Sequence, residues 1–265
     1  MKVKALVITG NGTNCEKESR HALEKAGADL VVEANIWELM AGDCQIDNYN
    51  FILLPGGFLD GDHLGSAQAA AHRFKYGKGG ELLKQLLRVI EHNGVIMGIC
   101  NGFQLLVKLG LLPKPNGKRT VTLTHNQNGR FEDRWVKLVA NPDSPCIFTR
   151  NMDILDLPVR HGEGRIVYAN REVEIEIQNN NLVPLAYCHP ESGKPTMEYP
   201  HNPNGSPGGA ASLCDPTGKI FGLMPHPEAF THKTNHPHWT RKYLPETGAG
   251  LEFFLNGVNF IRNQG

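Results

Sequence analysis

"VIMGICNGFQ", residues 95–104, sets an apolar run, two glycines and one cysteine side by side. The run up to Gly98 reads as a buried strand, and the residues after Cys100 read as the start of a helix. A strand that turns sharply into a helix throws the side chain of the turn residue out at the carboxyl edge of its sheet. The bend is tight, so the neighbours must be small, as in the G-x-S-x-G nucleophile elbow. Gly98-Ile99-Cys100-Asn101-Gly102 has that grammar with sulfur as the nucleophile. A helix starting at 101 or 102 aims its dipole and free N–H groups at Cys100, which favours a thiolate and offers donors for an oxyanion. The plain alternative is a buried structural cysteine between glycines needed only for packing, so the motif calls for a base elsewhere.

Working outward, "VKALVI" (3–8), "LVVEA" (30–34) and "FILLPGG" (51–57) are continuous apolar runs like "VIMGIC" (95–100). Continuous runs are expected of parallel strands covered on both faces by helices. Between them, Glu81 to Glu91 carries Leu82, Leu83, Leu86, Leu87 and Ile90 on one helical stripe. Alternating strands and helices predict an α/β protein built on an open, mostly parallel sheet with helices on both faces. Beyond residue 118 the texture changes. "RWVKLVA" (134–140) and "REVEIEIQ" (171–178) alternate like strands with one wet face. Residues 197–209 are too rich in Pro, Gly and Asn for regular structure, and "GKIFGLMPHPE" (218–228) supplies a last strand ending in a proline-stiffened turn. With no repeat and no low-complexity tail, residues 1–265 read as a single domain.

Net charge is zero, with 40% hydrophobic and 20% charged residues, which gives no electrostatic reason to expect nucleic acid as a partner. No apolar run reaches membrane-span length. Six scattered cysteines without a CxxC pair predict reduced thiols and a cytoplasmic protein.

Of twelve histidines, His226 stands apart in "MPHPE". It follows a predicted strand, so it also sits at a carboxyl edge. Pro225 and Pro227 are expected to hold the backbone extended, placing His226 and Glu228 on one side. Glu228 then orients the imidazole while its other nitrogen faces Cys100, the nucleophile–base–orienter logic of acyl transfer. "LLPGGF" (53–58) ends another buried strand with Gly56 and Gly57, whose bare backbone N–H groups can approach a ligand as oxyanion donors.

"LLPGGF", "GICNGFQ" and "MPHPE", in that order across nearly the whole chain, resemble the class I (triad-type) glutamine amidotransferases, a family with a flavodoxin-like fold. The resemblance implies that Cys100 attacks the side-chain amide of L-glutamine to form a thioester and release ammonia. By the same resemblance His226 moves the proton, Glu228 orients His226, Gly57 and the Asn101 N–H hold the oxyanion, and Gln104 lines the glutamine pocket. "NQNGRFEDRWV" (126–136), "VRHGEGR" (159–165) and "YPHNPNGSP" (199–207) are similar to tracts of the glutaminase component of phosphoribosylformylglycinamidine synthase. That similarity adds Asn126, Arg130, His161, Gly162 and Glu163 as expected substrate-binding residues. It implies a large formylglycinamide ribonucleotide synthetase subunit as partner and a small accessory subunit beside it. No P-loop appears in the chain, so ATP and Mg are expected in that partner and no cofactor in this chain.

Two other readings stay open at this point. The chain could serve another amide-transfer synthetase, or be a lapsed regulatory relative, whose mark would be a missing Cys100 or His226. His226, His232, His236 and His238 form a histidine-rich stretch, but its prolines break any regular ligand spacing, so no metal is expected.

Overall fold

The apolar runs become neighbouring strands of one sheet. In this computed structural model, which describes residues 1–264, β1 (Lys4–Thr9) leads through α1 (Glu16–Lys25) to β2 (Leu30–Asn35) and the short α2 (Ile36–Ala41). β3 (Phe51–Leu54) is followed by α3 (Gln68–Tyr76) and α4 (Glu81–Glu91), then by β4 (Val95–Ile99) and α5 (Asn101–Leu109). The rest comprises β5 (Val121–His125), β6 (Glu132–Ala140), β7 (Ile154–His161), β8 (Glu163–Tyr168), α6 (Arg171–Asn179), β9 (Leu185–Tyr187), β10 (Ser212–Cys214), β11 (Ile220–Leu223) and α7 (Leu251–Arg262).

The main sheet runs β10-β11-β4-β3-β1-β2 and is parallel throughout except at the β10–β11 edge. Every residue of β3, β4 and β11 is buried, which is why these strands read as unbroken apolar runs. The chain steps outward from β1 to β2, then returns to β3 and proceeds the other way through β4 to β11. Right-handed crossovers put α1 on one face and α4 on the other when the direction reverses in this way. A crevice opens at the carboxyl ends of the strands at such a reversal.

Beside this sheet lie the antiparallel sheet β7-β6-β9 and the antiparallel pair β5-β8. β6 alternates buried and more exposed residues over part of its length, as "RWVKLVA" predicts. β7 packs against the segment that follows β11, where the Pro158 carbonyl accepts from the His226 N–H at 2.8 Å.

"REVEIEIQ" is not a strand. Residues 171–179 form α6, with the Asn170 side chain accepting from the Val173 N–H and with Glu172 and Glu174 in the first turn. The alternation misleads because only Ile177 of this stretch is fully buried, while Ile175 faces solvent. An N-cap and acidic residues beside the positive helix end outweigh β-branched propensity here. Asn170→Ala is expected to lower stability by about 1 kcal/mol in urea unfolding.

Residues 197–209 are irregular apart from a 3-10 turn at Pro207–Gly209. Side chains dock this loop. Asn204 Nδ2 donates to the Gly164 carbonyl (2.8 Å) and the Tyr187 hydroxyl (3.2 Å), and Ser206 Oγ accepts from the Ile166 N–H (2.9 Å). Among the described residues no helix is long and apolar enough to cross a membrane.

Candidate active site at the carboxyl edge of the sheet

Cys100 sits at the elbow between β4 and α5 with φ 51° and ψ −104°, a left-handed backbone that few side chains adopt. Two glycines make the bend possible. A Cβ on Gly98 would lie 2.7 Å from the backbone of Gly102, and one on Gly102 would lie 1.9 Å from the Leu54 carbonyl oxygen. The first turn of α5 is thus pressed directly onto β3. The Cys100 N–H donates to the Leu223 carbonyl at 2.7 Å, and its Sγ lies 3.7 Å from the Arg160 carbonyl oxygen.

His226 and Glu228 reach the same place from the end of β11. His226 Nδ1 and Glu228 Oε1 are 2.6 Å apart, both side chains are buried, and His226 Nε2 has no hydrogen-bond partner among the described residues. The expected extended backbone gives way to a 3-10 turn over Pro227–Ala229. Proline at the first position of that turn fits its fixed φ, and the turn still brings the carboxylate onto the ring. Gly56 makes room for the assembly, since a Cβ there would lie 2.9 Å from His226 Cε1 and 3.4 Å from both Cys100 Cβ and Cys15 Sγ. Burial disfavours a charged imidazole, but the Glu228 carboxylate, with the thiols of Cys100 and Cys15, outweighs it and holds the His226 pKa well above 6.5.

Cys15 was not foreseen. Its Sγ lies 3.8 Å from His226 Nδ1, and burial, reinforced by the Glu228 carboxylate, pushes its thiol pKa up. The available signal was its position, in the loop after the carboxyl end of β1. Among the described residues, Cys15, His226 and Glu228 form the one group of three ligand-type side chains whose atoms lie within 4.8 Å of one another. The downstream histidines are occupied otherwise, His232 by Thr234 and Glu246, and His236 by ring contacts with Trp135 and Phe230.

A cavity of about 260 Å³ opens beside Cys100. Of the foreseen residues, Gly57, Gln104, His161, Gly162 and Glu163 line it; Asp62, Ser66, Phe131 and Arg160 also do, without having been foreseen. The Gly57 and Asn101 N–H groups donate to no other described residue and remain available to an oxyanion. Gln104 is held in place by the Asn101 amide (2.9 Å) and by its own bond to the Glu163 carbonyl, tying α5 to the start of β8. The Asn101 side chain also accepts from the Leu59 N–H and donates to Asp62, which anchors the segment after Gly57. Asn126 is buried behind His161 and does not line the cavity. Arg130 is not brought to the cavity. Its turn faces solvent, and its carbonyl serves only to accept from Asn126.

The arrangement can carry out acyl transfer: a nucleophilic thiol that opens on a cavity, a base beside it held by a carboxylate, and free N–H donors at the elbow and at Gly57. Residues 2–261 match the CobB/CobQ-like glutamine amidotransferase domain. The chain is 40% identical to the phosphoribosylformylglycinamidine synthase subunit PurQ of Dehalococcoides mccartyi, with 98% of each chain covered. It is 32% identical to human phosphoribosylformylglycinamidine synthase over 97% of this chain and 20% of that protein. A chain of the PurLQS structure from Thermotoga maritima superposes with a TM-score of 0.71 at 28% identity, covering 98% of this chain and 100% of that one.

Proposed function

Because the chain belongs to the CobB/CobQ-like glutamine amidotransferase family, we propose that it uses the Cys100 site to supply ammonia from L-glutamine to the phosphoribosylformylglycinamidine synthase reaction. The protein hydrolyses glutamine to glutamate, and the ammonia converts formylglycinamide ribonucleotide to formylglycinamidine ribonucleotide in purine synthesis. One observation carries this reading: a strained cysteine elbow opens on a cavity with the His226–Glu228 pair packed beside its sulfur, in a chain that matches synthase subunits end to end.

The Cys100 thiolate attacks the carboxamide carbon, and the developing oxyanion takes hydrogen bonds from the Gly57 and Asn101 N–H groups. His226, charged through its raised pKa, gives its Nε2 proton to the amide nitrogen. The C–N bond breaks, ammonia leaves, and the acyl group stays on sulfur. Water then attacks the thioester while His226 Nε2 takes its proton, and glutamate is released. Asp62 and Glu163 place carboxylates on the same cavity, which suits the α-ammonium of glutamine. ATP and Mg act in the large synthetase subunit, with a small accessory subunit completing the assembly, and the complex works in the cytoplasm. Free ammonia is mostly protonated and unreactive at pH 7, so it passes to the synthetase without entering bulk water.

The test of the site is covalent labelling with a diazoketone analogue of glutamine, followed by peptide mass spectrometry. Glutamine-protectable label on Cys100 is expected; label on another cysteine, or none, overturns the assignment. Glu228 supplies a pH prediction. Its carboxylate raises the His226 pKa, so Glu228→Gln lowers that pKa, and the imidazolium is lost at lower pH. The alkaline limb of the kcat/KM profile for glutamine is expected to move to lower pH in that variant.

A further inference from the structure

His161 has a defined tautomer. Asn126 Nδ2 donates both its protons, one to the Arg130 carbonyl and one to the His161 carbonyl, each at 2.8 Å. Asn126 Oδ1 is thereby left as an acceptor, 3.0 Å from His161 Nδ1. The Nδ1 atom must therefore carry the proton, and Nε2 keeps a bare lone pair. That Nε2 is buried and has no hydrogen-bond partner among the described residues, although the ring lines the cavity that Cys100 lines. A buried acceptor without a donor is costly unless a ligand supplies one.

The ring is held by its surroundings as well as by Asn126. A Cβ on Gly164 would lie 2.6 Å from both His161 Cε1 and Nδ1, so only glycine leaves the imidazole its place. His161 follows Arg160, whose carbonyl lies 3.7 Å from Cys100 Sγ, and it feels the charge of His226. Burial first, and that charge second, lower its pKa to about 3. The ring is neutral at working pH and does not compete with His226 for the proton in transfer.

We propose that His161 Nε2 accepts a hydrogen bond from the nitrogen of the glutamine carboxamide, and keeps it as that nitrogen leaves as ammonia. This rests on the glutaminase reading above. During acylation the leaving nitrogen receives a proton from His226 and still carries two N–H groups of its own. Two acceptors serve it: the lone pair of His161, whose ring lines the same cavity, and the Arg160 carbonyl 3.7 Å from the sulfur. His161 itself gains and loses no proton; it orients the C–N bond and receives the product.

The experiment compares L-glutamine with L-glutamate γ-methyl ester, whose leaving oxygen has no N–H, in the chain assembled with its synthetase subunits. His161→Leu and His161→Gln are assayed against the unsubstituted protein. Loss of one acceptor from a buried site corresponds to roughly a 30-fold fall in kcat/KM. His161→Leu is expected to show that fall with glutamine and a change of no more than about 3-fold with the ester. His161→Gln, which offers a carbonyl acceptor, is expected to recover much of the loss. Retained ester hydrolysis shows that the triad is still folded. An equal fall with both substrates overturns the proposal in favour of a scaffold or α-ammonium role, as does an unchanged rate with glutamine. If the unsubstituted protein hydrolyses neither substrate in a Cys100-dependent way, the glutaminase reading itself falls.

Discussion

Replacing Cys100 with alanine is expected to reduce glutamine-dependent formation of formylglycinamidine ribonucleotide by about 10⁴-fold or more. No other side chain at the site can replace the sulfur. Cys15 is buried against His226 Nδ1, the nitrogen that Glu228 holds, and does not line the cavity. With ammonium chloride in place of glutamine, the assembled Cys100→Ala complex is expected to run near the normal rate, because the synthetase needs only ammonia. Coupled assays with each nitrogen source check this. Loss of both activities would mean that the substitution disrupts assembly and not chemistry.

Gly102→Ala is expected to be nearly as damaging by another route. The added methyl would lie 1.9 Å from the Leu54 carbonyl oxygen, which is backbone at the end of a buried strand. The side chain cannot rotate away, so α5 must lift from β3 and carry Cys100 with it. Overpacking of this kind costs about 3 kcal/mol or more. A clear fall in melting temperature and loss of diazoketone labelling at Cys100 are expected together. A Gly102→Ala protein with normal stability and labelling would show that the close approach of α5 to β3 is not what shapes the elbow.

Gly98 and Gly102 were legible in the sequence because a tight bend leaves few residue choices, and the buried strands were legible because a sheet covered on both faces leaves no polar alternation. Cys100, His226 and Glu228 could be read for the same reason: each lies at the end of a strand, where direction is determined locally. Other parts depend on contacts across the chain. Cys15 is 211 positions from His226, and nothing near "NGTNCE" indicates that the two meet. Asp62 reaches the cavity through a turn in left-handed backbone, held by the Asn101 side chain and the Ala67 N–H. Arg130 was drawn into the expected site by its neighbours in a matching tract, yet it contributes a carbonyl and points to solvent. In "REVEIEIQ" the alternation of apolar residues points to a strand, whereas Asn170 at the cap and two early glutamates point to the helix that forms.

The most direct test of the central claim is glutamate release from L-glutamine by the purified chain, alone and with the synthetase subunits, ATP, Mg and formylglycinamide ribonucleotide, beside a Cys100→Ala control. The predicted result is glutamate released in step with formylglycinamidine ribonucleotide, one for one, and abolished in the control. Glutamate release that persists without Cys100, or product formed from glutamine by the control, would contradict it.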